Sequence, residues 1–186
     1  PRATLMPQIS GPKRLGATLR ATTGSWDVSG VTATYQWLRG STEIKGATSA
    51  TYKLQTEDVG TQVSVRVTAT AAGRVPGVAP SSAVKVRKGK PKVTVKAKSV
   101  KAKKRARVVV RVKMAGLAKP TGTVQVKYGK KTVKVKLKAK AKGRVTVRLP
   151  KLAKGKHKIK VTYKPNAKSK KFVTKAKSKK VTLRIR

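Results

Sequence analysis

Apolar and cationic residues alternate strictly along several stretches of the second half of the chain. Residues 132–140 read Thr-Val-Lys-Val-Lys-Leu-Lys-Ala-Lys. The same alternation recurs in residues 144–148, 158–162 and 181–186. Successive side chains of a β-strand point to opposite faces of the sheet. Each stretch therefore predicts a strand with a basic outer face and an apolar inner face, the inner face of the first stretch being Val133, Val135 and Leu137.

The first half of the chain shows the same period of two with far fewer charges. Residues 31–39 place Tyr35 and Trp37 on one strand face, and residues 62–68 carry a valine at every second position. We predict that Trp37 is the central core residue of this half. Short strands separated by Gly and Pro turn signals are typical of a β-sandwich.

The predicted fold class is all-β, with two tandem sandwich domains. We place the first domain at residues 1–87, a short basic linker at 88–91, and a Lys-rich second domain at 92–186. Two short patches, residues 98–105 and 167–180, are predicted to be disordered or loop-like.

Two ordered series of motifs carry a family resemblance. The first is Tyr35-Gln36-Trp37-Leu38-Arg39, then Gly46-Ala47-Thr48, Tyr52-x-Leu54, Asp58-x-Gly60 and Val65-x-Val67-Thr68. The second is Pro120-Thr121-Gly122-Thr123-Val124, then Gly143-Arg144-Val145-Thr146-Val147-x-Leu149-Pro150 and Gly155-x-His157-x-Ile159-x-Val161-x-Tyr163. Both series resemble the immunoglobulin-like repeats of secreted and cell-surface proteins of actinobacteria. The resemblance implies two immunoglobulin-like β-sandwiches without a disulfide, in an extracellular or cell-surface protein.

Charge is distributed very unevenly along the chain. Residues 1–86 carry 10 basic residues and all four acidic ones, whereas residues 87–186 carry 39 basic residues and no acidic one. Such a segment cannot form internal ion pairs, and it should attract polyanions strongly. High charge with few aromatic residues would favour a disordered tail of the linker-histone kind. The period of two favours folded β-structure instead, because a disordered tail has no need of it.

The residues needed for catalysis or metal binding are scarce. The chain has no cysteine, one histidine and four acidic residues, too few for a thiolate or carboxylate metal site. We interpret His157 as a strand residue that packs against its neighbours, and Glu57 with Asp58 as a strand corner. The sequence therefore predicts a protein that is not an enzyme and that needs no cofactor or metal.

The predicted functional surface is the basic face of the second domain. Its predicted members are the outward-facing residues Lys134, Lys136, Lys138, Arg144, Arg148, Lys158 and Lys160. Lysine outnumbers arginine, which favours diffuse attraction over recognition of particular groups. The expected partners are anionic polymers: teichoic-acid-like envelope glycopolymers, extracellular DNA or acidic glycans. Whether the seven residues form one continuous face depends on strand order, which the sequence leaves open.

Two alternative functions stay open at this point. The domains could be structural spacers or assembly modules, either at the C-terminus of a secreted enzyme or in a surface filament. Exposed strand edges that meet in neighbouring molecules would favour the filament. The second alternative is a nucleic-acid-compacting protein, which a disordered second half would favour. Scarce aromatic residues argue against base stacking in that half.

Overall fold

The period-two stretches of both halves form antiparallel strands in the computed structural model, which describes residues 1–186. The chain divides into two units, Pro1–Lys88 and Gly89–Arg186. The backbone N–H of Gly89 donates to the Phe172 carbonyl at 2.9 Å, and its carbonyl accepts from the Thr174 N–H at 3.0 Å. Gly89, which the sequence places in the predicted linker, is thus tied to the second unit.

The first unit is built from ten strands and one 3-10 helix at Thr56–Asp58. The strands are β1 (Ala3–Leu5), β2 (Ile9–Ser10), β3 (Thr18–Ala21), β4 (Ser25–Trp26), β5 (Thr32–Arg39), β6 (Thr42–Glu43), β7 (Thr51–Lys53), β8 (Gln62–Thr70), β9 (Gly77–Pro80) and β10 (Val84–Lys85). One sheet has the order β2-β3-β7, and the other has the order β6-β5-β8 with β9 and β10 both paired to β8. Strands β1 and β4 form a separate small pair.

The core of the first unit is centred on Trp37, as predicted from the sequence. Its side chain is fully buried, and its ring stacks on that of Tyr52 with 5.6 Å between centroids. The indole N–H donates to the Ser49 carbonyl at 2.9 Å, which satisfies the one polar atom of the buried ring. The prediction for Trp37 is confirmed.

The second unit is also a sandwich, with eight strands and two short helices. The strands are β11 (Lys92–Ala97), β12 (Arg105–Lys113), β13 (Gly122–Tyr128), β14 (Lys131–Leu137), β15 (Arg144–Lys151), β16 (Gly155–Pro165), β17 (Ala176–Lys177) and β18 (Val181–Ile185). One sheet has the order β11-β12-β15, and the other has the order β14-β13-β16 with β17 and β18 both paired to β16. The helices are a 3-10 turn at Ala139–Ala141 and α1 (Ala167–Lys170). The period of two therefore specifies folded strands here, not a disordered tail.

The segment 167–180 differs from the disordered or loop-like structure predicted for it. It contains α1 and β17. The side chain of Asn166 accepts the backbone N–H of Ser169 at 3.0 Å and so caps α1. A helix of one turn is too short to leave a periodic pattern in the sequence, so the prediction missed it.

The two units share one strand connectivity. In each, one sheet contains the first, second and fifth strands of the sandwich, and the other contains the fourth, third, sixth and an interrupted last strand. A serine marks the interruption in both: the Ser81 hydroxyl accepts the Val65 N–H at 3.1 Å, and the Ser178 hydroxyl accepts the Val161 N–H at 3.0 Å. The chain is thus all-β and forms two tandem immunoglobulin-like β-sandwiches, as the sequence predicts.

Candidate polyanion-binding surface

The basic residues are concentrated on the outside of the second unit. Of the 49 basic residues in the chain, 12 lie in the first unit together with all four acidic residues. The remaining 37 lie in the second unit, and every one of them is exposed. This follows from strand alternation, because the inward positions are taken by valine, leucine and isoleucine. The second unit therefore presents a purely basic surface around an apolar core.

The sheet that contains β14, β13 and β16 carries lysines on its outer face. Four predicted site residues lie here and are exposed: Lys134 and Lys136 on β14, and Lys158 and Lys160 on β16. Neighbouring positions on this face, which we call the lysine face, hold Lys127 and Lys164.

Most residues of the lysine face stand opposite a neutral partner on the next strand. Lys134 faces Gln125, and Lys136 faces Thr123. Lys158 faces Thr182. Two like-charged pairs stand directly opposite each other on this sheet, Lys127–Lys160 and Lys156–Arg184. Since like charges placed directly opposite destabilise a sheet, this interleaving limits repulsion while keeping the face basic.

The other predicted site residues do not join the lysine face. Arg144 and Arg148 lie on β15, which belongs to the opposite sheet of the sandwich. Lys138 follows β14 and precedes the 3-10 turn. All seven residues are exposed, but four lie on the lysine face, two on the opposite sheet and Lys138 just before the 3-10 turn. The alternation of apolar and basic residues predicts which side chains face the core and which face solvent. It does not predict which of the two sheets a strand joins.

The outer face of the β11-β12-β15 sheet holds basic residues that were not predicted as site residues. Arg107 stands directly opposite Arg148, and Arg111 stands directly opposite Arg144. With Lys96, they surround the outward-facing side chain of Val109. Residues 108–110 are all valine. This run hides the alternation of apolar and basic residues in β12. The signal that could have found Arg107 and Arg111 is their parity with Arg105.

The carboxylates have structural positions in the first unit. Asp58 is fully buried, and it accepts hydrogen bonds from the Arg39 guanidinium at 2.8 Å, the Tyr52 hydroxyl at 2.9 Å and the Gln55 backbone N–H at 2.7 Å. Burial, followed by the hydrogen bond and charge of Asp58, raises the pKa of Tyr52 to about 12. Burial lowers the pKa of Arg39, but the hydrogen bond and charge of Asp58 outweigh it, so that pKa is raised. Asp58 therefore fixes a strand corner, as expected from the sequence.

The histidine is likewise part of the framework. His157 is half-buried on β16 opposite Leu183, and its Nε2 atom lies 2.8 Å from the Ala153 carbonyl oxygen. Its ring is thus engaged with the backbone of the preceding turn. None of the helices has both the length and the apolar character needed to cross a membrane.

Comparisons with known proteins give a likeness of fold at low identity. No family model matches the chain, and no curated protein matches it. Among solved structures, the FN1–FN3 domains of chicken CNTN1 are 14% identical with a TM-score of 0.40, covering 97% of this chain and 66% of that one. The fibronectin(III)-like modules of Clostridium thermocellum CbhA are 18% identical with a TM-score of 0.34, covering 97% and 93%. Three N-terminal domains of the bacteriophage RB49 outer capsid protein Hoc are 14% identical with a TM-score of 0.38, covering 98% and 59%.

This chain thus spans less than two thirds of the length of the CNTN1 and Hoc structures. Identity and TM-score are both too low for any function to be transferred from these structures. We therefore infer function from the surface of the chain itself.

Proposed function

We propose that this chain is a non-catalytic extracellular module that attaches electrostatically to anionic polymers through its second unit, with the first unit serving as a spacer. One observation carries the proposal: the second unit folds with 37 basic side chains, all exposed, and without a single acidic residue. A solvated surface normally mixes both signs of charge, and this one does not. The repulsion among these basic side chains is relieved when a polyanion covers the surface.

The lysine face is suited to a partner whose charges recur along a chain. A polyanion carries a layer of condensed counterions and releases them when lysines neutralise its charges, which drives tight and salt-sensitive binding. Lysine ammonium groups are compact point charges on flexible stems, so they follow the polymer without demanding one geometry. Envelope glycopolymers, extracellular DNA and acidic glycans all meet this requirement, and envelope glycopolymers are our first choice for a cell-surface module.

Filament assembly through strand edges is disfavoured by the charge of the edges. Strand β14 lies at the edge of its sheet and carries Lys134 and Lys136. Strand β11, at the edge of the other sheet, carries Lys92 and Lys96. Lysines on an edge strand oppose edge-to-edge pairing, here because two identical edges would bring like charges together. A spacer role fits the first unit, where both signs of charge are present.

Nucleic-acid recognition through base stacking has little support on this surface. Tyr128 and Tyr163 are buried in the core of the second unit, and Phe172 is half-buried. Stacking platforms for single strands need exposed aromatic rings. DNA would therefore bind through its phosphates alone, as one polyanion among others.

The test measures binding of the full chain to purified teichoic acid, DNA and heparin across a salt series. The variant Lys134→Gln/Lys136→Gln removes two charges from the lysine face, and Lys45→Gln/Lys53→Gln removes two from the first unit. We expect the first variant to bind DNA more weakly, with the salt slope reduced by about 0.7–0.9 for each phosphate that is no longer neutralised. The second variant should bind like the parent chain. Absence of binding at low salt, or equal weakening in both variants, would contradict the proposal.

A further inference from the structure

The arginines of the second unit are concentrated on one sheet. Its seven arginines include five on β12 and β15, namely Arg105, Arg107, Arg111, Arg144 and Arg148. The other two are Arg184 and Arg186 at the end of the chain. The lysine face, on the opposite sheet, is built from lysine with threonine and glutamine between. The β11-β12-β15 sheet thus mixes arginine with lysine, whereas strands β13, β14 and β16, which carry the lysine face, contain no arginine.

The β11-β12-β15 sheet, which carries these five arginines, also places like charges directly opposite one another. Its four like-charged pairs are Lys92–Lys113, Arg105–Lys151, Arg107–Arg148 and Arg111–Arg144, against two such pairs on the sheet with the lysine face. Directly opposed like charges destabilise a sheet unless a group of opposite charge lies between them. The guanidinium groups of Arg107, Arg111, Arg144 and Arg148 make no hydrogen bond or ion pair within the chain. Their N–H donors are therefore available to a ligand.

A groove of about 630 Å³ lies over Arg107, Arg111 and Arg144, a volume within the range of small-molecule sites; Arg148 stands opposite Arg107 but does not line it. We call it the arginine groove. Val100 and Val109 supply apolar lining, and Ser99 and Thr146 are the hydroxyl residues of the lining. No aromatic residue lines the groove. Lys96, Lys98 and Lys104 also line the groove. The groove thus combines guanidinium forks and ammonium groups with apolar and hydroxyl lining, but it offers no ring on which a base could stack.

The spacing of the arginine pairs sets the distance between two anionic groups of the ligand, which need not be next neighbours along its chain. Arg107 and Arg111 are four residues apart on β12, as are Arg144 and Arg148 on β15. At about 3.4 Å per residue, the two pairs are about 14 Å apart along the strands. Between them stand Val109 and Thr146, which face each other. A matching ligand has anionic groups separated by neutral, hydroxyl-bearing segments.

We propose that the arginine groove is a selective site for the phosphodiester groups of a polyol- or sugar-phosphate polymer. This inference rests on the proposed function and names the polymer class and the site that would recognise it. A guanidinium binds two oxygens of an anion through parallel N–H donors. Each non-bridging oxygen of a phosphodiester accepts hydrogen bonds from all around its P–O axis, so two opposed guanidinium groups can share it, whereas a carboxylate accepts mainly in the plane of the group. Binding at the arginine groove should therefore survive salt better than binding at the lysine face.

The test replaces arginines without changing charge. In the full chain, Arg107→Lys/Arg144→Lys alters one member of each pair in the arginine groove, and Arg184→Lys/Arg186→Lys is the matched control outside it. The probe is poly(glycerol phosphate) of defined length, measured at low and at high salt. We expect the groove variant to match the parent chain at low salt and to bind about tenfold more weakly at high salt. The control should follow the parent chain at both salt concentrations, and circular dichroism should show an unchanged fold in both variants.

The outcomes separate this inference from the proposed function. If the parent chain binds and the groove variant keeps its full affinity at high salt, the arginine groove is not a selective site, although electrostatic attachment stands. If the parent chain fails to bind even at low salt, the proposed function itself fails. If a polyuronate shows the same salt-resistant binding, and the groove variant abolishes it, the polymer class is wrong.

Discussion

The two units of this chain use the same strand connectivity for different surfaces. Trp37 stands opposite Val65, whose N–H is bound by the Ser81 hydroxyl. In the second unit, Val126 stands opposite Val161, whose N–H is bound by Ser178. The inward positions are apolar in both units, while the outward positions change from mixed polar residues to lysine and arginine. The inner face is therefore sufficient to specify the sandwich, and the outer face is free to carry function.

The buried polar groups of the two units also differ in charge. The first unit buries a charge, Asp58, together with Arg39 and Tyr52. The second unit fixes a turn at a different place in the sandwich, and it does so with neutral groups. The Tyr163 hydroxyl donates to the Thr121 carbonyl at 2.8 Å, and the Thr121 N–H donates to the Ser169 hydroxyl at 3.0 Å. A unit without acidic residues has to fix its turns with hydroxyl and amide groups alone.

The largest expected effect comes from the core of the first unit. Trp37→Ala should cost about 3–5 kcal/mol of the free energy of unfolding, because it removes a large buried side chain and leaves a cavity. Val126→Ala, at the corresponding position of the second unit, should cost less, since fewer buried atoms are removed. Chemical denaturation followed by circular dichroism measures both. A near-neutral result for Trp37→Ala would show that this residue is not the core centre.

The second expected effect is a loss of stability of the first unit in alkaline solution. The pKa of Tyr52 is raised to about 12, above the ordinary tyrosine value of about 10. The resulting stabilisation is complete below pH 10 and is lost as the pH rises through the folded value, because the unfolded chain releases the proton more readily. The first unit should therefore lose about 2–3 kcal/mol between pH 10 and pH 12.

Tryptophan fluorescence isolates this effect, since Trp26 and Trp37 are the only tryptophans and both lie in the first unit. The control is Tyr52→Phe, which removes the titrating group. This variant should be less stable at neutral pH by about 1.5–3 kcal/mol, because its partner Asp58 is charged. Its stability should then fall much less between pH 10 and pH 12. If the parent chain and Tyr52→Phe showed the same alkaline slope, Tyr52 would not be the responsible group.

The sequence predicts the strands and their two faces well, because one simple period governs both units. It also identifies Trp37 as core and Asp58 as a corner residue. Burial of β14 is predicted less well: Leu137 is buried, but Val133 and Val135 are only half-buried. The reason is that β14 lies at a sheet edge and has a neighbouring strand on one side only.

The candidate site could be predicted only in part. Outward orientation follows from the sequence for Lys134 and Arg144 alike, but their assignment to different sheets does not. That assignment depends on which strands pair, and an alternating strand fits either sheet equally well. The arginine pairs escape prediction for the same reason, since Arg107 and Arg148 are 41 positions apart and meet only through the register of β12 and β15.

The smallest expected effect is the response of each unit to salt. Raising the sodium chloride concentration from about 0.05 M to 0.5 M screens exposed charges. The second unit should gain at least about 1 kcal/mol, because it holds six directly opposed like-charged pairs and each such pair destabilises a sheet. The first unit, with 12 basic and four acidic residues, has a net charge of only +8, and its exposed ion pair between Arg66 and Glu43 should weaken slightly. We thus expect a clearly smaller salt stabilisation in the first unit than in the second.

The arginine pairs provide the sharpest control for this response. Arg107→Gln/Arg144→Gln removes one charge from each pair, so the second unit should be more stable than the parent at low salt. Its gain on adding salt should shrink in proportion, while tryptophan fluorescence of the first unit stays unchanged. Thermal melting by circular dichroism, with fluorescence recorded in parallel, measures both units in one sample. An unchanged salt response in this variant would mean that repulsion is spread over the whole basic surface rather than concentrated at the opposed arginines.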